Sequence, residues 1–339
     1  MILVAEIGGT KLQLAAFDPE RARLSERWQD KVDPALGAQG ILSQFELAIE
    51  NMDRSQFTHC GVGFGGPIDA NGVIFKSHQI DGWEQFALTD WFQQRLGIEV
   101  FTANDCDAAA LGEFQFGAGR NHRSLFYVTV GTGVGGGLVL DSGLHGLRRP
   151  AAAEIGHLRP GLNCSDATAT VESYSSGWGI CRQTARVANI LRQCREQPRD
   201  FAAEFPELAS IDFELPSETE IDRSLDWYES RDRQPDASEI GRGALDSVWL
   251  PSVTIRLASR VLGWALAQAT TLIAPEVVVV GGGVSKLPDD LFMNPVRHSF
   301  MQYCFEPLQQ TTSIVHSKLG DDVVLWGAAA HVLGQRTVV

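Results

Sequence analysis

Asn104-Asp105 is the pair in this sequence best placed to move a proton. Glu99 to Ala103 reads as a strand, and Cys106 to Phe116 reads as a helix that begins at the acidic residue. A carboxylate at the end of a strand and the start of a helix lies at a cleft edge in many α/β folds. The positive end of the helix favours its ionised form. An ionised Asp there can accept the proton of a hydroxyl while a phosphoryl group is transferred. The alternative is a plain helix cap, a task Asp often performs.

Two glycine turns have the composition of phosphate cradles. In Glu6-Ile7-Gly8-Gly9-Thr10-Lys11, glycines let backbone N–H groups approach an anion, the Thr10 hydroxyl adds a donor, and Glu6 could orient Mg²⁺ through water. An ordinary hairpin turn is the alternative. Val130-Gly131-Thr132-Gly133-Val134-Gly135-Gly136-Gly137 formally matches GxGxxG. The dinucleotide fingerprint needs a helix after its glycines. Here Leu138-Val139-Leu140 continues as a strand, so a second phosphate-binding hairpin is the better reading. No GxxxxGK[ST] loop is present.

Glu154-Ile155-Gly156-His157 and Glu172 supply two carboxylates and an imidazole, groups that suit the vicinal hydroxyls of a polyol. Glu-x-x-His is also a spacing of metal ligands on helices. Pro150, Gly156 and Pro160 argue against a long helix here, and a single His is commonly structural.

The elements that must position these residues are readable from periodicity. Ile2 to Ile7 and Lys11 to Asp18 form a hairpin around Gly8-Gly9-Thr10. Ile41 to Met52 is helical, His59 to Phe64 a strand ending at Gly65-Gly66-Pro67, and Leu88 to Leu96 a helix. The pattern then restarts: strand Leu125 to Val130, turn Gly131 to Gly136, strand Gly137 to Asp141. This is a repeat of architecture without a repeat of sequence. Residues 183–250 are charged and read as helices with solvated connections, part of them an insertion. Pro251 to Ile273 is a long apolar helix, Glu276 to Val280 a strand meeting Gly281-Gly282-Gly283, and Leu325 to Leu333 a small-residue helix.

Bulk properties exclude several classes. With 339 residues and 44% hydrophobic composition, the chain can bury two cores. A net charge of -14 and the lack of a Lys/Arg cluster speak against nucleic-acid binding. No stretch of 18 uncharged apolar residues suggests a membrane span. The start of the chain lacks a basic region and reads directly as a strand, and six scattered cysteines form no CxxC pair. A reducing cytoplasm with free thiols is expected.

Taken in order, these motifs resemble the ROK family of sugar kinases and sugar-responsive repressors, from Glu6 to about Gly334. The first phosphate motif, the sugar-side turn Gly61 to Asp69, the segment Asn104 to Glu113 and the second phosphate motif all look like the family's. So do Glu154 to His157, Glu172 and the adenosine-side run Pro275 to Gly283. The resemblance implies a two-domain α/β fold of the actin-like ATPase (ribonuclease H-like) type, with the active site in the interdomain cleft. It implies a small domain of 1–117 plus 318–339 and a large one of 118–317, the latter with a polar helical insertion near 190–250. A hinge is expected near Phe116 to Gly119.

The resemblance also implies residue roles. Asp105 is the base in ATP-dependent phosphorylation of a hexose, with Mg²⁺ as the metal. Gly65, Gly66, Gln79, Asn104, Glu154, His157 and Glu172 contact the sugar. Gly8, Gly9, Thr10, Lys11, Gly131, Thr132, Gly133, Gly135, Gly281, Gly282 and Gly283 contact the nucleotide. The 6-hydroxyl of glucose is the first expectation; N-acetylmannosamine, N-acetylglucosamine and fructose are the alternatives. A homodimer is an assembly the resemblance allows.

Three departures stand out. Family members place three cysteines and the histidine around structural zinc, but those cysteine positions fall on Asn163, Ser165 and Thr170, with Cys164 out of register. One thiolate and one imidazole do not complete a tetrahedral site, so zinc is expected to be absent and the loop held by other contacts. Glu6 stands where Asp is usual, and Gln79 where an asparagine often contacts sugar. A non-catalytic sugar-sensing protein or a transcriptional regulator is the rival reading. Repressors of the family carry a helix-turn-helix before the first phosphate motif, and only five residues precede Glu6.

Overall fold

Strand β1 (Ile2–Ile7) is apolar at five of its six positions because it is buried on both faces. Leu3, Ala5 and Ile7 point into one core with Phe45, Trp83 and Phe92. Ile2 and Val4 point into another with Phe17, Leu325, Ala329 and Val332. The computed structural model describes residues 1–76, 80–146, 149, 151–161, 166–196, 201–207, 211 and 213–336.

β1 pairs antiparallel with β2 (Lys11–Asp18), which pairs antiparallel with the edge strand β3 (Arg23–Lys31). On its other side β1 runs parallel to β4 (His59–Phe64), and β4 parallel to β7 (Glu99–Asn104), giving the order β3-β2-β1-β4-β7. A two-stranded sheet of β5 (Val73–Ile74) and β6 (Phe86–Ala87) lies between β4 and β7 in sequence. Helices α1 (Gly37–Glu50) and α2 (Leu88–Leu96) supply Phe45 and Phe92 to the first core. The helix that follows β7, α3 (Asp105–Gln115), meets the C-terminal helix at very short range. A Cβ on Gly327 would lie 1.7 Å from the Ala108 carbonyl oxygen, and one on Gly61 would lie 2.4 Å from that of Ala328. Glycine at these positions is what lets the backbones approach.

The second five-stranded sheet has the order β10-β9-β8-β11-β12. Its strands are β8 (Leu125–Val130), β9 (Val134–Leu140), β10 (Gly143–Leu144), β11 (Val277–Gly281) and β12 (Ser313–His316). Eight helices lie between β10 and β12 in sequence among the described residues. They are α4 (Val171–Ser175), α5 (Gly177–Glu196), α6 (Phe201–Glu204), α7 (Glu218–Glu229), α8 (Ala237–Leu245), α9 (Trp249–Ile273), α10 (Met293–Tyr303) and α11 (Glu306–Gln309). The final helix, α12 (Val323–Arg336), carries Leu325, Ala329 and Val332.

The polar stretch is helical, as its charge pattern suggests. Capping boxes of Ser217 with Glu220 and Asp236 with Glu239 start α7 and α8. α9 begins two residues before the expected Pro251, since proline is tolerated in a first turn.

The chain divides into two units, one of Met1–Tyr127, Gly136–Ala153 and Val315–Val339, the other of Val128–Gly135 and Glu154–Ile314. Residues 118–127 and 136–153 thus group with the first unit. Gly137 lies so close to α3 that a Cβ would be 2.2 Å from the Cys106 carbonyl oxygen. No helix among the described residues is long and apolar enough to cross a membrane.

Candidate active site

In the first unit, Asp105 is the first residue of α3 and Asn104 is its N-cap. The Asn104 Oδ1 accepts from the N–H groups of Cys106 at 2.9 Å and Asp107 at 3.2 Å. The Asn104 Nδ2 donates to the Gly66 carbonyl at 3.0 Å, which fixes the Gly65-Gly66 turn to the start of the helix. Asp105 is therefore relieved of the cap role, although its Oδ1 also accepts from Cys106 N–H at 2.8 Å. Its Oδ2 lies 3.4 Å from where a Cβ on Gly65 would be, and Gly8 Cα lies 3.5 Å from that same point. The Gly65 N–H donates to the Ile7 carbonyl at 2.8 Å. The structure thus gathers Gly8, Gly65, Gly66, Asn104 and Asp105 around one half-buried carboxylate.

The first glycine turn is closed by Gly8 N–H donating to Lys11 O at 3.0 Å. Below it, Glu6 pairs in register with Gln13 across the hairpin. The Glu6 Oε2 accepts from Gln13 Nε2 at 2.6 Å and faces the Lys11 ammonium at 3.2 Å. Burial raises the Glu6 pKa, and Lys11 and Gln13 oppose that rise. Among the described residues, no three His, Cys, Asp or Glu side chains converge to hold a metal. Glu6 has one carboxylate oxygen already committed to the protein. It fits an outer, water-mediated role toward a metal that arrives with phosphate, and it is not a complete cage.

In the second unit, the Gly131 N–H donates to the Gly133 carbonyl at 2.9 Å and the Gly177 N–H to the Gly131 carbonyl at 2.8 Å. The Glu172 Oε2 accepts from Val134 N–H at 2.8 Å. Gly282, at φ +89°, lies beside the end of β8, where a Cβ would be 2.4 Å from the Val130 carbonyl oxygen. The Gly281-Gly282-Gly283 run and the turn that follows Val130 are therefore neighbours. Glu154 precedes a single 3-10 turn, Ile155–His157, in place of a long helix. Burial raises the Glu154 pKa, His157 opposes the rise, and Glu172 adds to it.

Not every sequence-based expectation has the same placement. β9 begins at Val134, so the turn is shorter than expected and Gly135 lies in a strand. Gly281 is the buried last residue of β11, while Gly283 is exposed. Gln79 and Cys164 lie outside the described residues. Thr170, at one of the family's cysteine positions, caps α4 in a reciprocal box with Ser173. Val171 N–H to Leu158 O at 2.8 Å and Arg159 Nε to Ala167 O at 3.1 Å also tie this segment. Gln13 is an addition to the residues expected from sequence, and hairpin pairing around Gly8 to Thr10 is the signal that places it opposite Glu6. Val134 is a second addition, and no side-chain signal marks it because it acts through its backbone N–H.

The arrangement has the α/β fold of the actin-like ATPases. The ROK family profile matches residues 3–335, and the chain belongs to that family. It is 29% identical to a glucokinase of Streptomyces coelicolor over 331 residues, 96% of this chain and 95% of that one. A crystal structure of a ROK family glucokinase from Streptomyces griseus, in complex with glucose and AMPPNP, superposes with a TM-score of 0.73 at 27% identity. The match covers 98% of this chain and 99% of that one. A putative xylose repressor of Caldicellulosiruptor is 27% identical over 293 residues, 85% of this chain and 66% of that one.

Proposed function

We propose that this chain is an ATP-dependent sugar kinase that transfers the terminal phosphoryl group of MgATP to a hexose hydroxyl. The observation that carries this reading is Asp105, held at the first position of α3 by an Asn104 cap, beside Gly65 and the Gly8 turn. Asp105 accepts the hydroxyl proton as the new O–P bond forms and the bond from the terminal phosphorus to the bridging oxygen breaks, releasing ADP. The turns at Gly8 to Lys11 and Gly131 to Gly133 bind phosphate through backbone N–H groups, and Gly282 and Gly283 take the adenosine side. Glu154, His157, Glu172, Asn104 and the Gly65-Gly66 backbone hold sugar hydroxyls. Mg²⁺ enters with the nucleotide, and Glu6 and Lys11 set the charge beneath the first turn.

The similarity to two glucokinases favours glucose as the hexose, and the 6-hydroxyl is the acceptor proposed on it. The test is a coupled ADP-release screen with MgATP across glucose, fructose, N-acetylmannosamine and N-acetylglucosamine. Turnover confined to an amino sugar or fructose replaces the glucose assignment. Sugar binding without any turnover would sink the kinase reading and favour a non-catalytic sugar-binding protein.

A further inference from the structure

Glu113 is a fully buried carboxylate that the proposed chemistry does not use. It sits in the last turn of α3, the helix that Asp105 begins. Its Oε2 accepts from Ala118 N–H at 2.6 Å. Its Oε1 accepts from the Ser317 hydroxyl at 2.6 Å and from Leu319 N–H at 3.0 Å. Both oxygens of this buried side chain therefore have hydrogen-bond partners, one of them nearby in the chain and two from a segment about 200 residues away. The Ser317 Oγ in turn accepts from Gly320 N–H at 3.2 Å, where a 3-10 turn, Gly320–Asp322, begins. The Asp321 carbonyl in that turn accepts from Lys11 Nζ at 3.0 Å and from Gln13 Nε2 at 3.4 Å. Asp322 grips Arg27 through both oxygens at 2.7 Å. The loop is therefore fixed at one end by Glu113 and delivers a carbonyl to Lys11 at the other.

We propose that Glu113 is a positioning residue that acts through the 317–322 loop to set where Lys11 presents its ammonium to the nucleotide. An ammonium has three donors. Glu6 and Asp321 engage it from the protein side, which leaves a donor for phosphate in a fixed direction. The proposal rests on the reading that the Lys11 turn binds phosphate.

A double-mutant cycle of Glu113→Ala and Lys11→Met, read by calorimetry with MgAMPPNP, tests it. The expected loss of affinity is roughly tenfold for Glu113→Ala with Lys11 present, and below about twofold once Lys11 is Met. Equal losses in both backgrounds, or none in either, overturn the proposal. Should Glu113→Ala fail to fold, Ser317→Ala removes one donor from Oε1 and is expected to give about a threefold loss with the same Lys11 dependence. Amide hydrogen exchange of residues 8–12 in the nucleotide-free protein separates the two ideas. Faster exchange in Ser317→Ala with no effect of Lys11→Met on MgAMPPNP affinity defeats the phosphate reading while the loop coupling stands. Unchanged exchange in Ser317→Ala defeats the coupling itself.

Discussion

The Glu172 carboxylate accepts a hydrogen bond from the Val134 backbone N–H at 2.8 Å, and so closes the second glycine turn from below. Gly133 is what makes this approach possible, since a Cβ there would lie 2.6 Å from Glu172 Oε2. The side chain proposed to bind sugar is thus also a wall of the turn proposed to bind phosphate. Glu172→Ala is expected to raise KM for MgATP as well as for the sugar, by about 5- to 100-fold for an unpaired backbone donor and a lost ligand. Glu172→Gln keeps an oxygen for Val134 and should spare the MgATP side. Steady-state kinetics in both substrates decide this; a change confined to the sugar KM breaks the link.

Asp105→Asn keeps the shape of the first residue of α3 and removes its basicity. The variant is expected to fold, to bind sugar with near-native affinity in calorimetry, and to lose roughly 10²- to 10⁴-fold in kcat. Near-native turnover would remove Asp105 from the mechanism.

Asn104 combines two tasks that substitution can separate. Asn104→Ala loses the cap on Cys106 and Asp107 and the tie to Gly66, and is expected to cost about 0.5–2 kcal/mol of stability. Asn104→Asp keeps a capping oxygen but presents an acceptor to the Gly66 carbonyl. It should retain stability in denaturant titrations while raising the sugar KM. A sugar KM unchanged in Asn104→Asp would show that the Gly66 tie does not shape the site.

Much of this site was legible in the sequence because it depends on local pattern. The strand–turn–strand at Gly8, the strand-to-helix switch at Asn104-Asp105 and the short turn at Glu154 follow from periodicity and from Gly and Pro placement. The start of β9 was not legible, since Val134-Gly135-Gly136 reads as turn until pairing within the sheet is known. Nor was the Glu113 network, because it joins residues 204 and 206 positions apart in the chain. Sequence shows a buried glutamate's type, but its partners are two backbone N–H groups and a serine.

The 166–176 segment is expected to keep its structure without zinc. Thr170, where the family has a cysteine, instead makes the capping box of α4. A zinc-selective chelator such as 1,10-phenanthroline should leave the thermal midpoint unchanged, and Thr170→Ala should cost about 1 kcal/mol. A chelator-induced fall in the midpoint would show that a metal holds the loop after all.

His331 sets an acid limit on stability. It lies buried on α12, edge-on to the Phe101 ring at 6.1 Å, and burial lowers its pKa to about 4 despite a hydrogen bond with the Thr102 backbone. The unfolded chain takes up this proton near pH 6.5, the folded protein only near pH 4, so between them the unfolded state binds more protons and stability falls as pH falls. His331 is expected to remove about 2 kcal/mol between pH 7.5 and pH 5, and roughly 3 kcal/mol once both states are protonated. Glu6 and Glu154 have raised values and act in the opposite direction, so the raw slope is not the readout. The difference between the native protein and His331→Phe in urea unfolding at the two pH values isolates the histidine. Equal acid losses in both proteins would mean that His331 titrates as it does in water.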